Sequence, residues 1–173
     1  VWEVVDKAID EAMSGFGDLI TITIHKDGSL SVLDEGRGIP TGIHKTAKVS
    51  ALELVFTTLH SGGKFTDKPY QSAGGLHGVG ASVTNALSEY LDVTVYREGQ
   101  IHHMRFENGG RKTGEIEILG KTTRHGTLVR FKPDAKIFST VEFKWDTICN
   151  HVQESAFLLK KVRFVVKDER QNL

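Results

Sequence analysis

The sequence predicts an α+β fold: a mixed, largely antiparallel sheet covered by helices. Two observations carry that prediction. Alternating apolar runs flank the turn dipeptides Asp27-Gly28 and Glu98-Gly99, and strand pairs joined by such tight turns are antiparallel. Stripes with helical period stand near both ends of the chain, in residues 1–13 and 145–159, so helices are available to cover one sheet face. At 173 residues the chain has the size of one domain with a sizeable core.

The elements follow in order. Val1, Val4, Val5, Ala8, Ile9 and Ala12 form the apolar stripe of the first helix, which Gly15 and Gly17 stop. Ile20, Ile22 and Ile24 alternate with Thr21 and Thr23, and Leu30 and Val32 begin the return strand. Residues two apart in a strand share a face, so Asp34 lies on the face of Leu30 and Val32. A carboxylate ending an inward-facing row must find a donor or a pocket. Residues 36–81 are rich in Gly, Ser, Thr and Lys, with a short helix expected over Ala51 to Leu59. Long loops of this kind often serve as lids or binding loops. A helix over about Ala81 to Leu87 and the hairpin of residues 91–110 come next. Strands are expected near Glu115 to Leu119, Thr127 to Lys132 and Val162 to Lys167. Between the last two, Trp145, Ile148, Cys149, Val152, Ala156 and Leu159 make a helical stripe.

Composition excludes some functions. Lys plus Arg and Asp plus Glu both number 22, so the net charge is zero. A surface that neutralises many DNA phosphates is usually basic, so this chain is a poor main DNA grip. The single cysteine, Cys149, allows no internal disulfide and suits a reducing compartment. No apolar run approaches the ~20 residues of a membrane-spanning helix. The histidines at 44, 60, 102, 103, 125 and 151 show no zinc-ligand spacing with Cys149. The chain opens at Val1 inside a helical pattern and reads as a piece of a longer polypeptide.

The run Gly74-Gly75-Leu76-His77-Gly78-Val79-Gly80 leads into a helical pattern. A dinucleotide fingerprint needs a preceding strand and a third glycine, and both are missing. A plain turn needs fewer glycines. Backbone N–H groups at a helix start, clear of side chains, suit a phosphate.

Four blocks stand in a familiar order: EVVDKAIDEA (3–12), DEGRGIPTGIH (34–44), GGLHGVGASVTNALS (74–88) and the Gly126-Thr127 pair, with LHSGGKF (59–65) between the second and third. Together they resemble the ATPase domain of the B-type subunits of bacterial type II topoisomerases, those of topoisomerase IV first and of DNA gyrase next. The likeness spans nearly the whole chain. It implies a two-layer sandwich with helices on one sheet face, the fold also of histidine kinases, a heat-shock chaperone and mismatch-repair ATPases. It implies one N-terminal ATP-binding domain over residues 1–173, with residues 41–80 as an ATP lid. The exchanging N-terminal arm and the transducer domain of the family lie outside the chain, so weak turnover by this piece alone is expected.

The resemblance also implies roles. Glu3, otherwise an ordinary solvated helix glutamate, would be the general base for the attacking water. Asp34 would accept from the adenine amino group, with Thr127 beside it. Gly36 and Gly38 would let backbone approach the base, and Ile39 and Pro40 would wall it. Lys64 and Tyr70 would reach the phosphates, as would Gly75, Leu76, His77, Gly78, Val79 and Gly80. Arg37, Pro40 and Arg97 would meet ATP-site inhibitors, aminocoumarins among them, at the pocket mouth.

One position departs from the family. Where its first helix carries an Asn that ligates Mg²⁺, this chain has Lys7, and an ammonium has no lone pair for a metal. No protein metal site is therefore assigned. Lys7 either neutralises phosphate itself or points away. The implied activity is ATP hydrolysis that closes a clamp and drives strand passage of DNA, supporting decatenation and supercoil control. The implied partners are the DNA-cleaving A-type subunit, DNA and a second B-type subunit, with no membrane, in the bacterial cytoplasm. The alternatives are a non-catalytic nucleotide-binding module or another ATPase of the same fold, such as a mismatch-repair ATPase.

Overall fold

A computed structural model describes residues 2–13, 15–42, 50–57, 77–137, 142–159 and 161–171. The helices are α1 (Trp2–Met13), α2 (Ala51–Thr57), α3 (His77–Ala86) and α4 (Trp145–Leu158). The strands are β1 (Leu19–Ile24), β2 (Leu30–Asp34), β3 (Ser88–Arg97), β4 (Gln100–Glu107), β5 (Arg111–Lys112), β6 (Glu117–Lys121), β7 (Gly126–Pro133) and β8 (Arg163–Asp168). They form one sheet in the order β5-β4-β3-β7-β2-β1-β8, with β6 also paired to β4. The β1–β8 pair is parallel, and the other pairs are antiparallel. The fold is α+β, as the hairpin signals predict.

Both predicted turns form. Gly28 has φ 88°, and at the second turn Glu98 and Gly99 have φ 55° and 78°. Two consecutive positive φ angles match the right-handed twist of a tight hairpin. The late strand β7 inserts between the two hairpins and pairs with β2 on one side and β3 on the other.

One apolar cluster occupies one sheet face. Val4, Val5, Ala8 and Ile9 from α1, Leu52, Val55 and Phe56 from α2, and Ile148 and Val152 from α4 pack over it. The sheet supplies Ile20, Ile22, Ile24, Leu30, Val32, Leu91, Val93, Val95, Met104, Phe106, Val129 and Phe131. Strands β1, β2, β3, β4 and β7 contribute alternate residues, the signature of a sheet with one covered face. The other face carries ion pairs, including Asp92–Arg105 at 2.9 Å and Asp27–Arg130 at 3.3 Å.

The structure departs from the sequence reading in two places. Helix α3 begins at His77, not near Ala81, so the end of the glycine run is already helical. Glycine is a poor helix former, but α3 is packed between α1 and α2, and packing overrides propensity. Asn85 near its end donates Nδ2–H to the Phe56 carbonyl at 2.8 Å, tying α3 to α2. The short strand β5 has no counterpart in the sequence pattern, because two residues carry no readable period.

Candidate functional site

The site grows from the end of β2. Asp34 stands opposite Ile20 on β1 and Thr127 on β7, and Thr127 in turn stands opposite Val95 on β3. This places the Asp34 side chain on the covered face, as strand parity predicts. It borders a cleft whose apolar walls are Val4, Ala8, Val32, Ile39, Phe56 and Val129. The polar groups of the cleft are Lys7, Glu11, Asp34 and Thr127.

Burial first, and the Glu11 charge with it, raise the Asp34 carboxyl, which stands at about 7. The Gly36 and Thr127 backbone N–H groups and the Lys7 charge oppose that rise. The Gly36 N–H donates to Asp34 Oδ1 at 2.9 Å. A carboxylate in such a place is a strong acceptor poised close to its protonation midpoint.

The loop after β2 is pinned from three sides. Arg37 donates Nε–H and Nη2–H to Glu11 Oε1 at 3.1 and 2.6 Å, and its backbone N–H to Oε2 at 2.9 Å. The Arg37 guanidinium also stacks on Phe16, 4.1 Å from the ring centre. The Ile39 N–H donates to Thr127 Oγ1 at 3.1 Å, and Arg97 Nη1–H donates to the Gly38 carbonyl at 2.7 Å. His125 Nδ1 lies 2.8 Å from the Gly36 carbonyl oxygen. Gly36 has to be glycine because the Glu11 side chain occupies the space a Cβ would take. Close approach at Gly36 therefore serves the Glu11 clamp. Pro40 follows at the rim, half-buried, while Ile39 is 2% exposed.

Thr127 stands opposite Asp34, and its hydroxyl oxygen is engaged within the fold. Its oxygen accepts from Ile39, which leaves the hydroxyl proton to donate toward the cleft. Helix α1 presents Glu3, Lys7 and Glu11 at spacings of four, on one helix face. Glu3 is exposed, Lys7 is half-buried at the cleft, and Glu11 is buried under Arg37. Burial lowers the Lys7 ammonium from its ordinary value, while Asp10, Glu11 and Asp34 oppose that effect. Lys7 thus faces the cleft and does not point away from it.

Lys64, Tyr70, Gly75 and Leu76 lie outside the described residues, as does most of 41–80. His77, Gly78, Val79 and Gly80 form the first turn of α3, which packs beside α1. Among the described residues no group of His, Cys, Asp and Glu is arranged to hold a metal. The Mg²⁺ that the resemblance implies does not fit Lys7, whose ammonium offers donors only.

Three residues join the site without being singled out by the sequence reading: Glu11, Phe16 and His125. Glu11 has a signal, since it repeats the four-residue spacing of Glu3 and Lys7 and falls beside the apolar stripe. Phe16 and His125 have none, because their partners are fixed by tertiary placement.

The pattern of the histidine kinase-, DNA gyrase B-, and HSP90-like ATPases matches residues 1–137. The chain is 52% identical to the B-type subunit of DNA topoisomerase 4 from Streptococcus pneumoniae, over 99% of the chain and 27% of that protein. It is 51% identical to the B-type subunit of DNA gyrase from Archaeoglobus fulgidus, over 99% of the chain and 27% of the relative. Against the B-type subunit of DNA topoisomerase 4 from Bacillus subtilis it is 51% identical, over 99% of the chain and 26% of the relative. The chain thus spans about a quarter of the length of the curated relatives it matches.

Proposed function

The chain belongs to the histidine kinase-, DNA gyrase B-, and HSP90-like ATPase family, and on that premise we propose that its cleft binds ATP for a type II topoisomerase. In the whole protein, ATP binding closes a clamp of two such domains around DNA, and hydrolysis resets it. The partners are a DNA-cleaving A-type subunit, a second B-type subunit and DNA, in the cytoplasm. The relatives named as B-type subunits of topoisomerase 4 and gyrase support this reading.

One observation carries it at the level of atoms. Asp34 is a half-buried acceptor lining an apolar cleft, and Thr127 is paired beside it. An aromatic base with an exocyclic amino group satisfies that arrangement: the ring fills the apolar space and the amino group donates to Asp34. Ile39 and Pro40 wall the base, with Gly36 and Gly38 in the loop that carries them. Arg37, Pro40 and Arg97 form the mouth, where ATP-site inhibitors bind. Lys64, Tyr70 and the run Gly75 to Gly80 take the phosphates. Glu3 acts as general base toward water in line with the γ-phosphate. Residues 41–80 are the lid of this single ATP-binding unit.

Titration of a non-hydrolysable ATP analogue tests the binding reading. Saturable binding that Asp34→Asn weakens roughly 10–100-fold is the expected result, and equal binding by both proteins overturns it. Turnover is tested with Glu3→Gln, which removes hydrolysis while binding survives. The position of Lys7 in the cleft favours a second reading, a module that binds nucleotide with little turnover. Mg²⁺-dependent hydrolysis is then weaker than in Lys7→Asn, and equal rates in the two proteins exclude it.

A further inference from the structure

We propose that His125 is a positioning residue of the cleft: its Nδ1–H holds the Gly36 carbonyl and so fixes the loop that presents Asp34 to the base. This rests on the nucleotide reading of the cleft and adds a residue to it.

The placement comes first. Residues 125–127, at and just before the start of β7, each meet the loop that follows β2. Thr127 stands opposite Asp34 and accepts from the Ile39 N–H. Gly126, at φ 139°, lies so close to β2 that a Cβ there would collide with the Asp34 carbonyl oxygen. That approach brings His125 to the loop, with Nδ1 2.8 Å from the Gly36 carbonyl oxygen. The residue is otherwise exposed, so this contact and not burial orients its ring.

The proton comes second. A carbonyl oxygen only accepts, so Nδ1 carries the hydrogen. The hydrogen bond that an imidazole makes decides its tautomer. The Gly36–Arg37 peptide is thus held at both ends, its carbonyl by His125 and its N–H by Glu11 Oε2 at 2.9 Å. The N–H of Gly36 itself donates to Asp34 Oδ1 at 2.9 Å. A single glycine therefore links His125 on its carbonyl to Asp34 on its N–H.

The effect on Asp34 comes third. The Gly36 N–H opposes the rise that burial imposes on the Asp34 carboxyl. Releasing the Gly36 carbonyl loosens that donor, so Asp34 loses both a fixed position and part of what favours its charged form. The charged groups acting on Asp34 are Lys7 and Glu11, both on α1, and a substitution at position 125 leaves them in place. The Arg97–Gly38 and Ile39–Thr127 bonds still hold the rest of the loop, so the loss is partial.

Two measurements test this. The first needs no ligand: long-range proton–nitrogen NMR spectra of the unaltered chain, recorded well above the ordinary imidazole range, with the His125 signal identified by its absence in His125→Asn. An untethered neutral imidazole carries its proton mainly on Nε2, and the expected result is the Nδ1–H form. The second is calorimetric titration with a non-hydrolysable ATP analogue across a pH series. His125→Ala is expected to weaken binding roughly threefold to tenfold, the worth of one hydrogen bond, and to move the midpoint of the pH profile upward. The amide nitrogen of asparagine stands as many bonds from the backbone as Nδ1, so His125→Asn should bind within about twofold of the unaltered chain and keep its midpoint. The glutamine nitrogen stands one bond further out, so His125→Gln should behave as His125→Ala. Thermal melts of each variant exclude unfolding as the cause.

An Nε2–H tautomer in the unaltered chain overturns the inference. Equal binding by folded His125→Ala does the same, as does His125→Asn binding as weakly as His125→Ala. The two readings fail differently. If binding depends on Asp34 and His125→Ala changes nothing, only this inference falls. If the unaltered chain does not bind the analogue, or Asp34→Asn binds it equally, the nucleotide reading falls and takes this inference with it.

Discussion

Two aspartates at the ends of strands have opposite surroundings. Asp168, ending β8, is fully buried and gripped by Arg170 through Nε and Nη2, each at 2.9 Å. Arg170 is anchored in turn by the Phe143 carbonyl at 2.8 Å. The Arg170 hydrogen bonds hold the Asp168 carboxyl below its ordinary value. Asp34, ending β2, has backbone N–H groups where Asp168 has a guanidinium, and burial lifts it to about 7. A carboxylate that serves stability is given its counter-ion within the fold. Asp34 is held by backbone donors and the nearby Lys7 charge instead of a paired guanidinium.

The contrast breaks most visibly at Arg170. Arg170→Ala leaves a buried carboxylate uncompensated and should cost about 3–5 kcal/mol, read by urea unfolding at pH 7. Asp34→Asn should leave stability unchanged or higher. A loss at Asp34 as large as that at Arg170 would erase the distinction between the two aspartates. Binding shows the reverse pattern: Asp34→Asn should weaken the ATP analogue roughly 10–100-fold, the worth of a hydrogen bond to a charged group. Arg170→Ala, once folded, should bind normally.

Acid separates them by sign. Asp34 has a raised carboxyl, so the folded state holds its proton more tightly than the unfolded chain. Its contribution to stability is full below about 4 and is lost as pH rises through about 7. Asp168 has a lowered carboxyl, so its contribution is present above the ordinary carboxylate range and lost as pH falls below it. Ligand affinity follows the charged form of Asp34. The analogue should bind progressively more weakly below about pH 7, approaching about tenfold per unit, with no such slope in Asp34→Asn. The smallest effect belongs to Glu11→Gln. Removing the neighbouring charge lowers the Asp34 carboxyl, so the midpoint of the pH profile should move below that of the unaltered chain. An unmoved midpoint would separate Glu11 from the electrostatics of the site.

The parts of the molecule legible in the sequence are those with local causes. The parity of Ile20, Ile22, Ile24, Leu30 and Val32 places Asp34 inward because side-chain direction in a strand is fixed by period. Turn dipeptides set both hairpins for the same reason. Thr127 is reached only through resemblance, because the pairing of β7 with β2 is a long-range register that no local pattern encodes. The start of α3 is hidden because glycine argues against helix locally, while packing between α1 and α2 decides the outcome. Asp168 and Arg170 lie two positions apart at a strand end, a spacing that says nothing about burial.

The insertion of β7 between the two hairpins has a consequence for how the site comes into being. The hydrogen bond from Ile39 to Thr127 joins residues 88 positions apart. Hairpins close in microseconds from local contacts, but such a distant pairing must first overcome the entropy of a long loop. The two halves of the sheet can therefore form early and separately, and neither contains a binding site. During synthesis the chain acquires Asp34 long before the strand that stands beside it. The cleft is complete only when β7 pairs with both hairpins and sets Thr127 beside Asp34.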